Sequence, residues 1–397
     1  MPRLLVLTPA ELTRDPRARR AAVVARDRGY DVVGLCGRVA GDTPSPLDGV
    51  EVVRVGGDAV SAQLRRRGLG GMHPSRPPVR ELRGAFRLAR LARLTAKLIS
   101  AGRRLGRFDV VHANDFDTLP AAWELASKSG ARLVYDSHEL YTTQELDPPR
   151  SFVAVASRVE AAIATHADAV VTTGRPFAEE LQRRFGLRQE PLIVLNCPDL
   201  VTTEPSPTPA DGKLRVIYQA AMGPGRPLQD VVDAARRSNG VEFTLRVVGM
   251  DEAALRREIA RAGVGDVVHI ADPVPPDRLV EALQGFHVGL IINRPLTLTD
   301  ELVVPNKLFE YMMAGLAVVA PRLPGLAAIV DGDGVGSTFE PGRPDRLAAV
   351  LGELDSDREL LNQMRKRARQ LALDRYNAPA QAAQLLRAWG GAVSNSD

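Results

Sequence analysis

Pro305-Asn306-Lys307-Leu308-Phe309-Glu310-Tyr311-Met312-Met313-Ala314-Gly315, followed after Leu316 by Ala317-Val318-Val319-Ala320, decides how this 397-residue chain is read. Leu308, Phe309 and Met312 recur at helical spacing, and Gly315 closes the helix. The apolar run behind it has strand length. A helix feeding directly into a short apolar strand belongs to a parallel sheet covered on both faces. Pro305 suits the first helical position, where a missing N–H is no loss. The free N–H groups of such a helix start form an anion site, and Lys307 adds a positive charge beside it. Asn306 and Glu310 lie four apart and share a face. A carboxylate one turn inside a phosphate-binding helix can accept two hydrogen bonds from a ribose diol. The same residues also read as an amphipathic helix packed on a sheet, and the segment alone leaves both readings open.

Working outward, the alternation repeats on both sides. In the first half, residues 4–8, 31–35, 51–55, 110–112, 132–135 and 169–173 read as strands, and 17–28, 80–105, 119–129 and 152–164 as helices. Residues 56–78, rich in Gly, Pro and Arg, read as a loop. Residues 198–212 hold Pro205, Pro207 and Pro209 among threonines and read as a linker. Beyond it, strands are expected at 214–218, 244–248 (ending at Gly249), 267–270, 288–292 and 318–320. Helices are expected at 228–237, 252–262, 276–283 and 306–314, and residues 344–389 read as helical. The expectation is an α/β protein of two Rossmann-like domains, 1–197 and 213–375. A C-terminal helix, 376–397, would return to the first domain. Ligands of such sheets bind at the carboxyl ends of the strands, which would face each other across a cleft. Residues 8–13 are Thr-Pro-Ala-Glu-Leu-Thr, so no glycine-rich dinucleotide turn follows the first strand, which speaks against a dehydrogenase.

Composition bounds the rest. With 45% hydrophobic and 25% charged residues the chain reads as globular, not disordered. Its two cysteines, Cys36 and Cys197, support neither a disulfide framework nor a metal cluster and suit a reducing cytoplasm. The first apolar run is too short for a signal peptide, and no stretch is long enough to span a bilayer. Net charge is +4, yet thirteen Arg or Lys stand against one acid, Glu81, between Leu64 and Arg107. That block reads either as a solvated helix face or as a surface resting on anionic membrane or receiving a lipid-phosphate acceptor, through residues such as Arg83, Arg87 and Arg90. Few aromatics interleave the arginines, so nucleic acid is not the expected partner.

Other strand ends carry polar groups. His138 and Glu139 follow one strand, and His138 could steer an acceptor, stabilise phosphate or simply bond within its loop. Asp115 and Asp117 follow another. Asp115 is the better acceptor-site candidate, whereas Asp117 is expected to cap the helix near Leu119. His112 is expected inside. Asp15 and Arg17 read equally as a cap, an ion pair or a substrate contact. Asp331 and Asp333 flank Gly332 in an expected turn rather than a metal site.

The 305–311 segment closely resembles the donor-binding signature of GT-B fold, family 4-like retaining glycosyltransferases, in the branch reading Pro-Asn-Lys-Leu-Phe-Glu-Tyr. Four further blocks agree in order: Asp15-Pro16-Arg17 with Gly29-Tyr30-Asp31-Val32-Val33; Asp109-Val110-Val111-His112-Ala113-Asn114-Asp115; Leu133-Val134-Tyr135-Asp136-Ser137-His138-Glu139-Leu140-Tyr141; and Val194-Leu195-Asn196-Cys197-Pro198. The resemblance implies transfer of a hexosyl group from a nucleotide-diphosphate sugar, with retained configuration, to a glycan, lipid-linked or small-molecule acceptor. It implies no metal and no cofactor. Glu310 would hold the donor ribose, with Lys307, Asn306, Pro305 and Gly249 at the donor and Arg226 neutralising phosphate. His138, Asp115 and Arg226 are the catalytic candidates. Asp15, Arg17, Asn114 and Glu139 are the acceptor-side candidates. The chain departs from the family pattern in three places. Leu302, beside Glu301, stands where a sugar-contacting Glu is common. Ala220-Ala221-Met222 lacks a basic residue common before the Arg226 loop, and Asn114 replaces a common His. These departures keep two alternatives in view: a nucleotide-sugar epimerase of the same fold, and a catalytically weak nucleotide-sugar binding subunit.

Overall fold

The computed structural model describes residues 1–37, 46–56, 77–202, 204, 212–221, 227–275 and 278–391. The chain divides into two compact units. One comprises Met1–Val194 together with the chain from Ala382 on, and the other is Leu195–Gln381.

The first unit is built on β1 (Arg3–Thr8), α1 (Pro16–Asp27), β2 (Asp31–Gly37), β3 (Glu51–Val55), α2 (Pro77–Arg104), β4 (Val110–Asn114), α3 (Leu119–Ser129), β5 (Arg132–Asp136), α4 (Arg150–Ala164), β6 (Ala169–Thr172), α5 (Arg175–Phe185) and β7 (Leu192–Ile193). Its seven parallel strands run in the order β3-β2-β1-β4-β5-β6-β7. The order reverses at β1, which places a switch point at the carboxyl ends of β1 and β4. β1 and β4 are buried along nearly their whole length, as strands covered on both faces require. One face packs α1 through Ala18, Ala21, Ala22 and Ala25, together with Leu385, Leu386, Ala388 and Trp389 from the C-terminal end.

The second unit continues with β8 (Leu214–Ala221), α6 (Leu228–Ala235), β9 (Val241–Val248), α7 (Glu252–Ala262), β10 (Val268–Ile270), β11 (Val288–Leu290), α8 (Leu298–Leu302), α9 (Asn306–Met313), β12 (Ala317–Pro321), α10 (Pro324–Val330), β13 (Gly336–Phe339), α11 (Pro344–Ser356) and α12 (Arg358–Asp374). Its six parallel strands are ordered β10-β9-β8-β11-β12-β13 and reverse at β8. α13 (Ala378–Ala388) closes the chain. On one sheet face, Val216, Phe243, Leu245, Leu290 and Val319 pack against Val231, Leu255 and Leu351.

Several expectations are corrected. Residues 344–389, expected as helical, resolve into three helices, the second of which starts where Asp357 accepts from Leu360 N. The helix expected over 276–283 is a single 3₁₀ turn, Glu281–Leu283, within the described residues. α5, α10 and β13 were not anticipated at all. No described helix is long and apolar enough to cross a membrane.

Candidate functional site

In the second unit the decisive segment forms α9, with Pro305 at its N-cap rather than at the first helical position, since Pro305 is extended (φ −76°, ψ 148°). No side chain caps this helix start. Asn306, its first residue, is exposed, and the third N–H, of Leu308, donates to Pro305 O (3.1 Å). Lys307 Nζ lies 5.0 Å from the centre of the Tyr218 ring within β8, a cation–π contact. One turn on, Glu310 Oε2 accepts a 2.7 Å hydrogen bond from Gln219 Nε2. Burial raises the Glu310 carboxyl above its ordinary range, opposed by Lys307 and by the Gln219 amide.

Tyr311 fixes the helix to the sheet. Its ring lies over Gly289, where an added Cβ would sit 2.2 Å from the ring, and its hydroxyl donates to Leu290 O (3.2 Å) and accepts from Gln219 N (3.2 Å). The same hydroxyl therefore sets the position of the Gln219 backbone, and with it the amide that holds Glu310. Gly249, just past β9, has φ +80° and open space around its Cα, so the turn needs glycine for its backbone rather than for room. After β11, Arg294 pairs with the buried Asp230 of α6 (2.5 and 3.2 Å). Leu302 is buried and the neighbouring Glu301 is exposed. Arg226 lies outside the described residues.

In the first unit the carboxyl ends of β1, β4 and β5 bring a second group together. Asp15 caps α1, accepting from Arg17 N and Ala18 N (both 3.1 Å), and takes a 2.7 Å bond from Thr8 Oγ1. Arg17 is turned inward: its Nε donates to Asp136 Oδ2 (2.7 Å) and Nη1 to Val194 O (2.9 Å). Both partners are almost fully buried, and the guanidinium with the nearby His112 holds the Asp136 carboxyl far below its ordinary value despite burial. His112 is itself buried. Trp389 Nε1 donates to its Nδ1 (3.1 Å), which leaves Nε2 as the protonated nitrogen, 3.6 Å from Asp136 Oδ2.

Above this buried chain, His138 Nδ1 and Asp115 Oδ1 stand 3.3 Å apart, each side chain about a quarter exposed. Asp115 has φ +61°, alone among the described non-glycine residues, so the backbone bends sharply where β4 delivers it. Burial raises the Asp115 carboxyl well above its ordinary range, reinforced by Asp136, Glu139, Asp15 and Asp117. Burial and Arg17 lower His138. Glu139 is exposed beside them.

Asn114 does not join this group. It is fully buried, and its Nδ2 donates to Leu7 O (3.0 Å), tying β4 to β1. Asp117 does not cap α3 either. Thr118 holds the cap position, and Asp117 accepts from Tyr141 Oη (2.9 Å) instead. Asp331 bonds Thr338 N and Oγ1, which fixes its turn. Sequence reasoning missed Gln219, Asp136 and Trp389. Asp136 stood in a quoted block without a role, and only the sheet order reveals that Arg17, 119 residues away, is its partner.

Residues 15–198 match the family model described as glycosyl transferase 4-like domain, and residues 226–387 the one described as glycosyl transferase-like. D-inositol 3-phosphate glycosyltransferase of Acidothermus cellulolyticus is 26% identical over 294 residues, 66% of this chain and 64% of that relative. The chain thus spans just under two thirds of the relative's length. Among solved structures, sucrose-phosphate synthase from Thermosynechococcus elongatus superposes with a TM-score of 0.74 at 16% identity, over 98% of both chains. Anabaena Alr3699/HepE in complex with UDP gives 0.69 at 17% identity, over 98% of this chain and 100% of that one. At these identities the structures establish the fold, and the fold is GT-B.

Proposed function

Because the chain belongs to the GT-B, family 4-like glycosyltransferases, we propose that it moves a hexosyl group from a nucleotide-diphosphate sugar to a hydroxyl acceptor with retention of configuration. The observation that carries this reading is Glu310, held one turn inside α9 by Gln219, with Lys307 and the uncapped helix start beside it. A pyrophosphate fits the helix start, and the ribose diol fits the carboxylate. As the sugar–phosphate bond breaks, charge grows on the nucleoside diphosphate. Fixed N–H groups and the Lys307 ammonium stabilise it without reorganising. Arg226 would add a second cation. Retention follows if the acceptor attacks from the face the phosphate leaves, with a donor phosphate oxygen taking the acceptor proton. A solved GT-B neighbour that holds UDP supports a nucleotide donor.

On the acceptor side the exposed candidates are Asp115, His138 and Glu139. Asp15 and Arg17 act indirectly, the first as a cap and the second as the clamp on Asp136. Asn114 acts only through the β1–β4 seam. A neutral His138, favoured by its lowered pKa, can hydrogen-bond an acceptor hydroxyl. The acceptor is a glycan, lipid-linked or small-molecule hydroxyl. A second reading, a catalytically weak nucleotide-sugar binding subunit, draws support from Leu302, buried where the family often carries a sugar-contacting Glu.

A thermal-shift screen of UDP, GDP, dTDP and ADP sugars, followed by titration calorimetry, tests the donor. Glu310→Ala is expected to weaken nucleoside diphosphate binding by about tenfold or more, from lost hydrogen bonds to a charged group. Unchanged affinity in that variant would sink the assignment. Tight binding with no donor turnover would favour the binding subunit.

A further inference from the structure

We propose that the outer face of α2 seats the protein on an anionic membrane surface, inserting Leu82 and Phe86 between lipid headgroups. This surface stands apart from the nucleotide chemistry and does not depend on it. Along α2, Val79, Leu82 and Phe86 recur at helical spacing on a face that no described element covers. Leu82 is 58% and Phe86 63% exposed. The chain between β5 and α4 adds Leu146, 70% exposed. It is fastened beside α2 from both sides, because Glu145 pairs with Arg83 and Arg87, and Asp147 with Arg80. Arg87 also stacks over the Phe152 ring at 4.0 Å, tying in the first turn of α4, whose Val155 is exposed. Five of the eleven exposed large apolar side chains of the described residues thus gather in one region. Soluble surfaces seldom group such side chains without a partner.

Charge identifies the partner. Arg83 and Arg87, the residues the basic block first suggested, share the single carboxylate of Glu145, so their cluster keeps only one net positive charge. Arg90, Arg93 and Lys97 continue the exposed face and make no ion pair among the described residues. An apolar wedge followed by exposed cations on one helix face is the pattern of an interfacial helix. Its apolar side chains enter the headgroup boundary while its cations meet lipid phosphates. A purely protein partner would not require the cations, and a soluble anion would not require the wedge.

The test is co-sedimentation of the full chain with phosphatidylcholine vesicles, with and without phosphatidylglycerol. Binding is expected with the anionic vesicles only and should fall as salt rises. The double variant L82S/F86S should bind about tenfold more weakly or worse, from the lost apolar burial. R90Q/R93Q should bind several-fold more weakly, with a flatter salt dependence. All four side chains are exposed, so far-UV circular dichroism should match the parent. Phe86→Trp should show blue-shifted emission when anionic vesicles are added. The proposal is overturned by absence of binding to anionic vesicles, or by binding that both double variants leave intact. It is equally overturned by a concentration-dependent dimer on size exclusion that L82S/F86S abolishes, because the face would then join two copies of the chain.

Discussion

At the residue scale, the buried carboxyl of Glu160 gives the clearest pH dependence. It sits on α4, accepts a 2.6 Å bond from Tyr135 Oη on β5, and burial pushes it up to about 7 from the usual 4.5. The fold thus binds this proton more tightly than the unfolded chain does. Its contribution to stability is complete below pH 4.5 and is lost as pH rises toward 7. Glu160→Gln keeps an acceptor for Tyr135 and cannot ionise. It is expected to melt higher than the parent at pH 8, with the gain shrinking at pH 5.5, by calorimetry at both. A gain of equal size at the two pH values would show that ionisation is not the cause. His138 runs in the opposite sense. Burial and Arg17 lower its pKa, so the unfolded chain protonates first, and stability falls as pH drops below about 6.5. The Arg17–Asp136 pair differs from both. Breaking one member leaves the other charge buried, which costs about 3–5 kcal/mol.

At the element scale, α9 is aimed by its seat as much as by its own residues. Gly289 on β11 lets the Tyr311 ring lie flat on the sheet, and the Tyr311 hydroxyl then reaches Leu290 O and Gln219 N. Gly289→Ala would drive a methyl into that ring, and because the ring is buried on all sides the helix must move. The expected outcome is a loss of about 1–3 kcal/mol in urea unfolding. Weakened nucleoside diphosphate binding should accompany it, because Gln219 and Glu310 separate when α9 shifts. Unfolding loss with unaltered affinity would show that the seat does not aim the site. This element also marks what the sequence could reveal. The 305–320 run disclosed its helix, its strand and the shared side of Asn306 and Glu310, because all of these are local periodicities. Gln219 was not legible, since its nearness to Glu310 arises only when β8 and β11 become neighbours. The Asp117 cap was misjudged for a related reason. A tertiary partner, Tyr141, takes the carboxylate that local spacing would give to the helix start.

At the scale of the whole molecule, alternating strands and helices and five ordered sequence blocks were enough for the GT-B fold, whereas the closing step of the first unit spans the chain. Trp389 meets His112 across 277 residues, and no periodicity encodes such a pairing. From Ala382 on, the C-terminal end lies on the first unit's sheet, with Leu385, Leu386, Ala388 and Trp389 almost fully buried there and Arg132 Nε donating to Ala388 O at 2.7 Å. Trp389 also meets Tyr30 edge-on at 5.8 Å. Each large apolar side chain in that set is worth roughly 1.5–3 kcal/mol. Their sum is comparable with the whole stability of an ordinary domain, roughly 5–15 kcal/mol. A chain ending at Gln381 should therefore lose the cooperative unfolding of the first unit. The second unit, Leu195–Gln381, keeps all of its residues and should still bind a nucleoside diphosphate by calorimetry. Trp389→Phe separates packing from hydrogen bonding. It preserves an aromatic ring against Tyr30 and removes the N–H bonded to His112 Nδ1, leaving that buried acceptor unsatisfied, so it should cost about 1–3 kcal/mol. If the shortened chain unfolds like the parent, the C-terminal end is an ornament on the first unit rather than part of its core, and the link from Trp389 through His112 to Asp136 carries no weight in shaping the acceptor side.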